Sequence, residues 1–281
     1  VCLLGESTTR PLAHSLTRSL DHPHADRNAE PFSRVLFDYV GGVQDCERGL
    51  LRTIVPPDGS FETDPARILR AVRLKARLGL EIEEETRAAM RRHIEAGRIV
   101  DLNHGRLQME LGTMFAYGSA EATYKALEEF DLLAALLPHH ARLLQPREAG
   151  FQSRPMAVLR LMDDCVKSMR QPLASITYNG ALFTMLVLAE LDSGPGGRLA
   201  SIDVVDECFE RMTAPKQVPK QLLARRALEQ TSYLLREQLL LKERGGSGIG
   251  ERRPGRRAGR GKAKDRPTAT SLLEDIIARA L

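Results

Sequence analysis

The spacing of apolar residues along the chain predicts helices almost throughout. Apolar positions recur at intervals of three and four residues, which is the period of a helix with one buried face. The breaks between these segments carry Gly or Pro, as at Gly118, Pro138 and Pro172. We expect helices over residues 65–79, 83–97, 106–117, 119–136, 155–170, 180–191, 201–212, 218–241 and 270–281. The pattern therefore predicts a mostly α fold.

Strand-like patterns are confined to one early stretch of the chain. Residues 34–40 and 50–54 are short β-type runs, and Gly41-Gly42 and a polar stretch separate them. We expect these two runs to form a short β-hairpin. Residues 56–60 predict a turn, and Asp64-Pro65 has the pattern of a helix N-cap followed by proline.

Changes in composition and the positions of Gly and Pro divide the chain into six segments. We expect an irregular leader at 1–30, the β-hairpin at 31–63, a helical domain at 64–137, a further helical body at 138–241, a basic Gly/Arg-rich linker at 242–268 and a short helix at 269–281. The linker is a candidate for nonspecific contact with RNA, and the alternative is that it only connects the last helix to the rest.

The charge of the chain is concentrated rather than spread. The net charge is +4, but residues 242–266 hold ten Lys or Arg against three acids, so the remainder is slightly acidic. Polyanion binding elsewhere would need a local basic patch. Four scattered cysteines lack metal-site spacing, and His139 and His140 are expected in a surface loop. No apolar run reaches the roughly 18 residues of a membrane span, so a membrane partner is not expected.

The predicted helix from Pro65 has two contrasting faces. At 100° per residue, four arginines share one arc of about 120°, namely Arg67, Arg70, Arg73 and Arg77. Four apolar residues share another arc, of about 100°: Ile68, Leu69, Val72 and Ala76. The arginines could bind phosphate, which suits the planar guanidinium group. The alternative is a solvated face, salt-bridged by the acids of residues 81–85.

An ordered series of motifs lies within residues 37–79. It consists of Phe37-Asp38-Tyr39-Val40-Gly41-Gly42, Gly49, Arg52-Thr53 and the run from Phe61 to Gly79. This series resembles the class II tRNA nucleotidyltransferase/poly(A) polymerase family. The resemblance implies a helical neck and body, similar to the C-terminal region of poly(A) polymerases, without a complete nucleotidyltransferase head. It also implies RNA as partner (tRNA or RNA 3′ ends), ATP or CTP as nucleotide, and Mg²⁺ as cofactor.

The resemblance assigns site residues to two helices. In that family an E-D-x-x-R motif recognises the base edge of the incoming nucleotide, and the matching residues are Asp64 and Arg67, with Thr63 in place of the glutamate. The alternative role of Asp64 is that of a plain N-cap. Arg106 and Glu110 resemble an E-R-x-x-x-E segment, and their alternative is a surface ion pair. RNA contacts are assigned to the arginine side chains of Arg70, Arg73, Arg77 and Arg106.

No catalytic or metal-binding residue is assigned, because the family's metal-binding Asp-x-Asp does not occur in this sequence. The match begins abruptly near residue 31, and we expect truncation or alternative splicing upstream. Three hypotheses follow: the RNA-binding part of a family member that is catalytically incomplete as given, a noncatalytic helical RNA- or protein-binding module, and a divergent enzyme that uses Glu62 and Asp64. CCA addition or poly(A) addition, a cytoplasmic or organellar location and the oligomeric state stay open.

Overall fold

Helices account for nearly all the secondary structure in the computed structural model, which describes residues 38–143, 153–193, 201–214, 222–245 and 267–281. The helices are α1 Gly42–Arg48, α2 Pro57–Thr63, α3 Ala66–Leu78, α4 Glu84–Glu95, α5 His104–Phe115, α6 Ala120–Glu129, α7 Leu133–Leu136, α8 Pro138–Leu143, α9 Ser153–Met169, α10 Ser175–Ser193, α11 Ser201–Thr213, α12 Arg225–Gly245 and α13 Ala269–Ala280. Two strands, β1 Leu50–Leu51 and β2 Glu81–Ile82, complete the described elements. The mostly α prediction is confirmed.

The predicted β-hairpin is wrong in the described residues. β1 pairs with β2 in parallel, not with the run at 34–40, of which residues 34–37 lie outside the described part of the chain. The stretch between the two predicted strands is α1. The carboxylate of Asp38 accepts the backbone N–H groups of Gly42 at 2.9 Å and Val43 at 2.8 Å, and these bonds lower its pKa. These bonds satisfy N–H groups at the start of the helix, which favours α1 over a turn.

Two further boundaries differ from the prediction. Residues 57–60 of the predicted turn lie in helix α2, with Pro57 at its first position, because proline fixes a φ angle that helices accept there. The helix predicted over 119–136 is divided into α6 and α7. Asp131 lies between them with a φ of 56°, a left-handed conformation that ends an α-helix.

Helix α3 is oriented by its apolar face. Ile68, Leu69 and Val72 are each at most 1% exposed, and α3 packs against α6. Gly79 ends the helix in the left-handed conformation, with a φ of 67° that glycine adopts without strain. The arginine-bearing side of α3 is therefore turned away from this core.

The second half of the described chain packs around α10. This helix contacts α9, α11, α12 and α13, and residues 181–189 are all buried. Gly180 permits its closest approach: an added Cβ would lie 2.5 Å from Thr231 Oγ1 and 2.7 Å from Leu273 Cδ2. Helix α13 thus belongs to the core, as its buried residues Leu273, Ile276 and Ile277 indicate. The predicted leader and most of the predicted linker lie outside the described residues.

His140 lies in the core rather than in a surface loop. It is 1% exposed, and its Nε2 lies 2.9 Å from the carbonyl oxygen of Leu182. Burial lowers the pKa of the imidazole to about 4. His140 lies on α8, the short helix that follows α7 after a break at Leu137. Across the described ranges, no helix has both the length and the apolar character that a bilayer span requires.

Candidate functional site

Asp64 joins the start of α3 to α5. It lies between α2 and α3, and its Oδ1 accepts the N–H of Ala66, the first residue of α3, at 3.2 Å. The carboxylate therefore caps the helix, as one alternative predicted. Arg106 of α5 donates from Nη2 to both carboxylate oxygens, at 3.0 and 2.9 Å. This contact holds the Asp64 side chain in one orientation.

Glu110 is the second acidic centre of the site, and its side chain is buried. The residue is 4% exposed, and its Oε1 lies 3.3 Å from Arg70 Nε while its Oε2 lies 3.8 Å from Arg73 Nη1. The alternative of a surface ion pair between Arg106 and Glu110 does not hold, because each has its partner on or next to α3. A buried carboxylate needs such partners, since an unpaired one is costly.

The acids at 81–85 are not the partners of the α3 arginines. Within the described residues, Glu81 pairs with Lys75 and Arg87 instead. The salt-bridged alternative therefore holds for Arg70 and Arg73, but with acids from elsewhere in the chain. Both guanidiniums also reach solvent, because the side chains of Arg70 and Arg73 remain 43% and 25% exposed.

Arg67 lies apart from this ion-pair network and has a neutral partner. Its Nη1 donates to the hydroxyl oxygen of Ser60 at 2.8 Å, and Ser60 is 3% exposed. Thr63, which stands where the resembled family has glutamate, donates its hydroxyl to the carbonyl of Gly59 at 2.8 Å. Ser60, which sequence reasoning missed, thus takes over the contact with Arg67, and the Arg67 charge is not neutralised by a carboxylate there.

Arg77 contacts an aromatic ring at the other end of α3. Its guanidinium carbon lies 5.2 Å from the ring centre of Tyr117, within the range of a cation–π contact. Tyr117 lies in the connection between α5 and α6 and is 42% exposed. Sequence reasoning missed this tyrosine, because nothing in its local pattern marks it as a neighbour of α3.

The site as a whole carries excess positive charge. We name it the arginine cluster, and its members are Arg67, Arg70, Arg73, Arg77 and Arg106. The cluster contains five guanidinium groups and two carboxylates, those of Asp64 and Glu110, so it has an excess of three positive charges. Partly exposed guanidiniums in excess favour a ligand with oxyanions.

The arginine cluster does not fit a divalent metal. Arg106 occupies both oxygens of Asp64, and a guanidinium beside a carboxylate opposes a second cation there. In the described ranges, no group of three or more His, Cys, Asp or Glu side chains is placed to hold a metal ion. The hypothesis that Glu62 and Asp64 form a metal pair therefore gains no support from this geometry.

Sequence comparison finds similarity to poly(A) polymerases and to CCA proteins. Residues 79–144 match a family model described as the probable RNA and SrmB-binding site of polymerase A. Poly(A) polymerase I of Salmonella typhimurium is 30% identical over 190 residues, which are 64% of this chain and 40% of that protein. The multifunctional CCA protein of Thioalkalivibrio sulfidiphilus is 38% identical over 111 residues, 38% of this chain and 26% of that protein.

The fold agrees with the sequence match. A tRNA nucleotidyltransferase complexed with a primer tRNA and an incoming ATP analog aligns with a TM-score of 0.50 and 19% identity, over 77% of this chain and 55% of that one. The chain spans about 40% of the length of the poly(A) polymerases that it matches. Within that extent, the chain is similar in sequence to the tRNA nucleotidyltransferase/poly(A) polymerase family, and its residues 79–144 match the model of an RNA-binding site.

Proposed function

We propose that this chain is the RNA-binding neck and body of a nucleotidyltransferase that processes RNA 3′ ends, by CCA addition or poly(A) addition. The observation that carries the proposal is the arginine cluster, which has three unneutralised positive charges and lies partly inside the region that matches the RNA-binding model. Arg70, Arg73, Arg77 and Arg106 would contact RNA phosphates, since guanidinium groups donate two parallel hydrogen bonds to them.

Nucleotide recognition is the second part of the proposal, and it rests on Asp64 and Arg67. Asp64 accepts hydrogen bonds from Arg106 and from the backbone N–H of Ala66. Because a carboxylate has about four lone-pair positions, Asp64 can also accept a hydrogen bond from an exocyclic amine of a base. Arg67 keeps donors beyond the one that it gives to Ser60. Together they would distinguish A and C from G and U, because A and C carry an exocyclic amine where G and U carry a carbonyl oxygen.

Only the family resemblance implies Mg²⁺ as a cofactor. The acids of the arginine cluster are engaged by arginines, and we assign no metal-dependent step to them. Catalysis by the whole protein would therefore depend on groups other than those of the arginine cluster.

Salt dependence separates the arginine cluster from the basic stretch at 242–266. Each phosphate contact to single-stranded RNA contributes about −0.7 to the slope of log K against log salt. With the ten Lys and Arg of 242–266 replaced by Ser, we expect binding to persist with a slope near −3, a loss of roughly 50-fold between about 50 and 200 mM salt, because the four arginines assigned to phosphates remain. Fluorescence anisotropy with a labelled oligonucleotide measures this.

The unaltered chain is the control for that experiment, and its slope should be steeper. If the Ser variant binds RNA without salt dependence or not at all, the arginine cluster is not an RNA site. Failure of both chains to bind RNA would favour the other hypothesis, a noncatalytic module that binds protein.

Arg67→Ala tests nucleotide recognition, in a chimera that joins a competent family head ahead of residue 31. Loss of a charged hydrogen bond costs about 1.5–3 kcal/mol, so the preference for A and C over G and U should fall at least about tenfold. Competitive incorporation of the four nucleotides into RNA ends measures this preference. Arg91→Ala, which removes an exposed arginine of α4, is the matched control and should leave it intact. An unchanged preference in Arg67→Ala would make Arg67 a structural residue.

A further inference from the structure

We propose that Tyr117 and Arg77 form a stacking site for one unpaired base of the bound RNA. The inference rests on the RNA-binding function proposed above and adds a site for a base to the sites for phosphates. Arg77 lies 5.2 Å from the Tyr117 ring centre, and both side chains are exposed. Proteins that bind single-stranded RNA combine basic side chains with exposed aromatic rings in this way, because every base has a face that can stack.

The backbone around Tyr117 is fixed on both sides. Ala116 is buried, and its carbonyl oxygen accepts the N–H of Leu173 at 2.8 Å. Gly118 adopts a φ of 79° and packs so closely that an added Cβ would lie 3.0 Å from Val166. With this backbone fixed, only the two side-chain torsions of the tyrosine remain to be ordered when a ligand binds, so stacking on the ring costs little conformational entropy.

The row of arginines on α3 ends beside this ring, at Arg77. At a rise of 1.5 Å per residue, the ten residues from Arg67 to Arg77 span about 15 Å. A stacked strand carries a phosphate about every 3.4 Å, so the row of arginines matches about four phosphates, with the ring at one end. The loop that follows α9 is hydrogen-bonded next to Tyr117 in the sequence, from the N–H of Leu173 to the carbonyl oxygen of Ala116, and it carries the exposed Arg170.

The alternative is that the contact between Arg77 and Tyr117 is a surface contact with no role in RNA binding. An exposed cation–π contact contributes little to stability on its own, and a tyrosine kept only for this contact would have no influence on RNA binding. The two roles therefore differ in a measurable property, which is the dependence of RNA affinity on the aromatic ring.

Substitutions of Tyr117 separate the two roles in the 281-residue chain. Tyr117→Phe keeps the ring and should bind single-stranded oligoadenylate as tightly as the unaltered chain. Tyr117→Ala should bind it about tenfold more weakly, in line with the measured effect of losing one stacked base. Arg77→Ala should also weaken binding, and by more than Arg91→Ala, which removes the same charge from α4.

Tyr117→Trp provides a direct signal, because the sequence contains no other tryptophan. Stacking of a base on the indole should quench its fluorescence and protect it from acrylamide when oligoadenylate binds. A blunt RNA duplex, whose bases are already stacked, should bind without this quenching.

The outcomes distinguish failure of the stacking site from failure of the proposed RNA-binding function. The stacking site is overturned, and the proposed RNA-binding function stands, if the chain binds oligoadenylate but Tyr117→Ala binds like Tyr117→Phe. The same conclusion follows if oligoadenylate binds the Tyr117→Trp variant without quenching its indole fluorescence. If the unaltered chain binds no RNA, both are overturned. Quenching by the duplex equal to that by the single strand would also contradict stacking of an unpaired base.

Discussion

Replacing Gly180 by valine is expected to lower the free energy of unfolding by about 3 kcal/mol or more, at the upper end for overpacked cores. The reason is the closeness of three helices. A Cβ at this position would lie 2.5 Å from Thr231 Oγ1, and Thr231 is fully buried and donates its hydroxyl to Ala227 at 2.6 Å. Thr231 cannot move aside without losing that bond. Urea unfolding followed by circular dichroism gives the change.

Gly59→Ala is the matched control for that substitution. Gly59 lies in helix α2, and a Cβ there would meet nothing within 4 Å. Alanine should therefore stabilise the protein by about 0.5 kcal/mol, because it restricts the unfolded chain more than glycine does. Thr231→Ala should reduce the cost of Gly180→Val without abolishing it, since Leu273 Cδ2 would still lie 2.7 Å from the added Cβ. Equal stability of the Gly180 and Gly59 variants would contradict this packing.

Replacing Glu110 by glutamine is expected to cost about 2–3 kcal/mol of unfolding free energy, below the 3–5 kcal/mol of a fully buried pair whose partner is removed. Glutamine keeps the shape of the side chain and removes only its charge. Arg70 and Arg73 on α3 would then lose the carboxylate of α5 with which both pair. The cost is reduced because both guanidiniums still reach water. Thermal and urea unfolding measure it.

Two controls identify the origin of that loss. Glu95→Gln removes an exposed carboxylate at the end of α4 and should change stability by less than about 0.5 kcal/mol. In an Arg73→Gln background, Glu110→Gln should cost less, because one of the two charges left unpaired is already gone. If Glu110→Gln proves as mild as Glu95→Gln, the ion pairs contribute no stability.

The longer helices were predictable, because each buries apolar residues over several turns. The periodicity over 65–79 identified α3 nearly to the residue, and Gly79 marked its end. Helix α1 was missed because it buries no residue, so it has no apolar period, and its cap comes from Asp38 ahead of it. The two-residue strands β1 and β2 are too short to show a pattern. The break at Asp131 was missed because a single aspartate is a much weaker signal of a left-handed conformation than glycine is.

The candidate site was predictable in its positive charges and not in their partners. The arc of arginines follows from helix geometry alone, and the family resemblance pointed to Asp64, Arg67 and Arg106. The contacts of Glu110 with α3 join residues about 40 positions apart, which no local pattern reports. Glu110 could have been suspected, because it shares the buried face of α5 with Leu107, Leu111 and Met114. Whether these residues read a nucleotide stays a prediction.

The place of α13 in the core has a consequence for synthesis on the ribosome. The groove between α9, α10 and α12 is filled by a helix that is translated well after α12 ends at Gly245. At about 5–20 residues per second, that delay is on the order of seconds, whereas helices form within about a microsecond. The nascent chain therefore holds an open apolar groove around Gly180 for seconds, and at this stage its association with other nascent chains or with chaperones is most favoured.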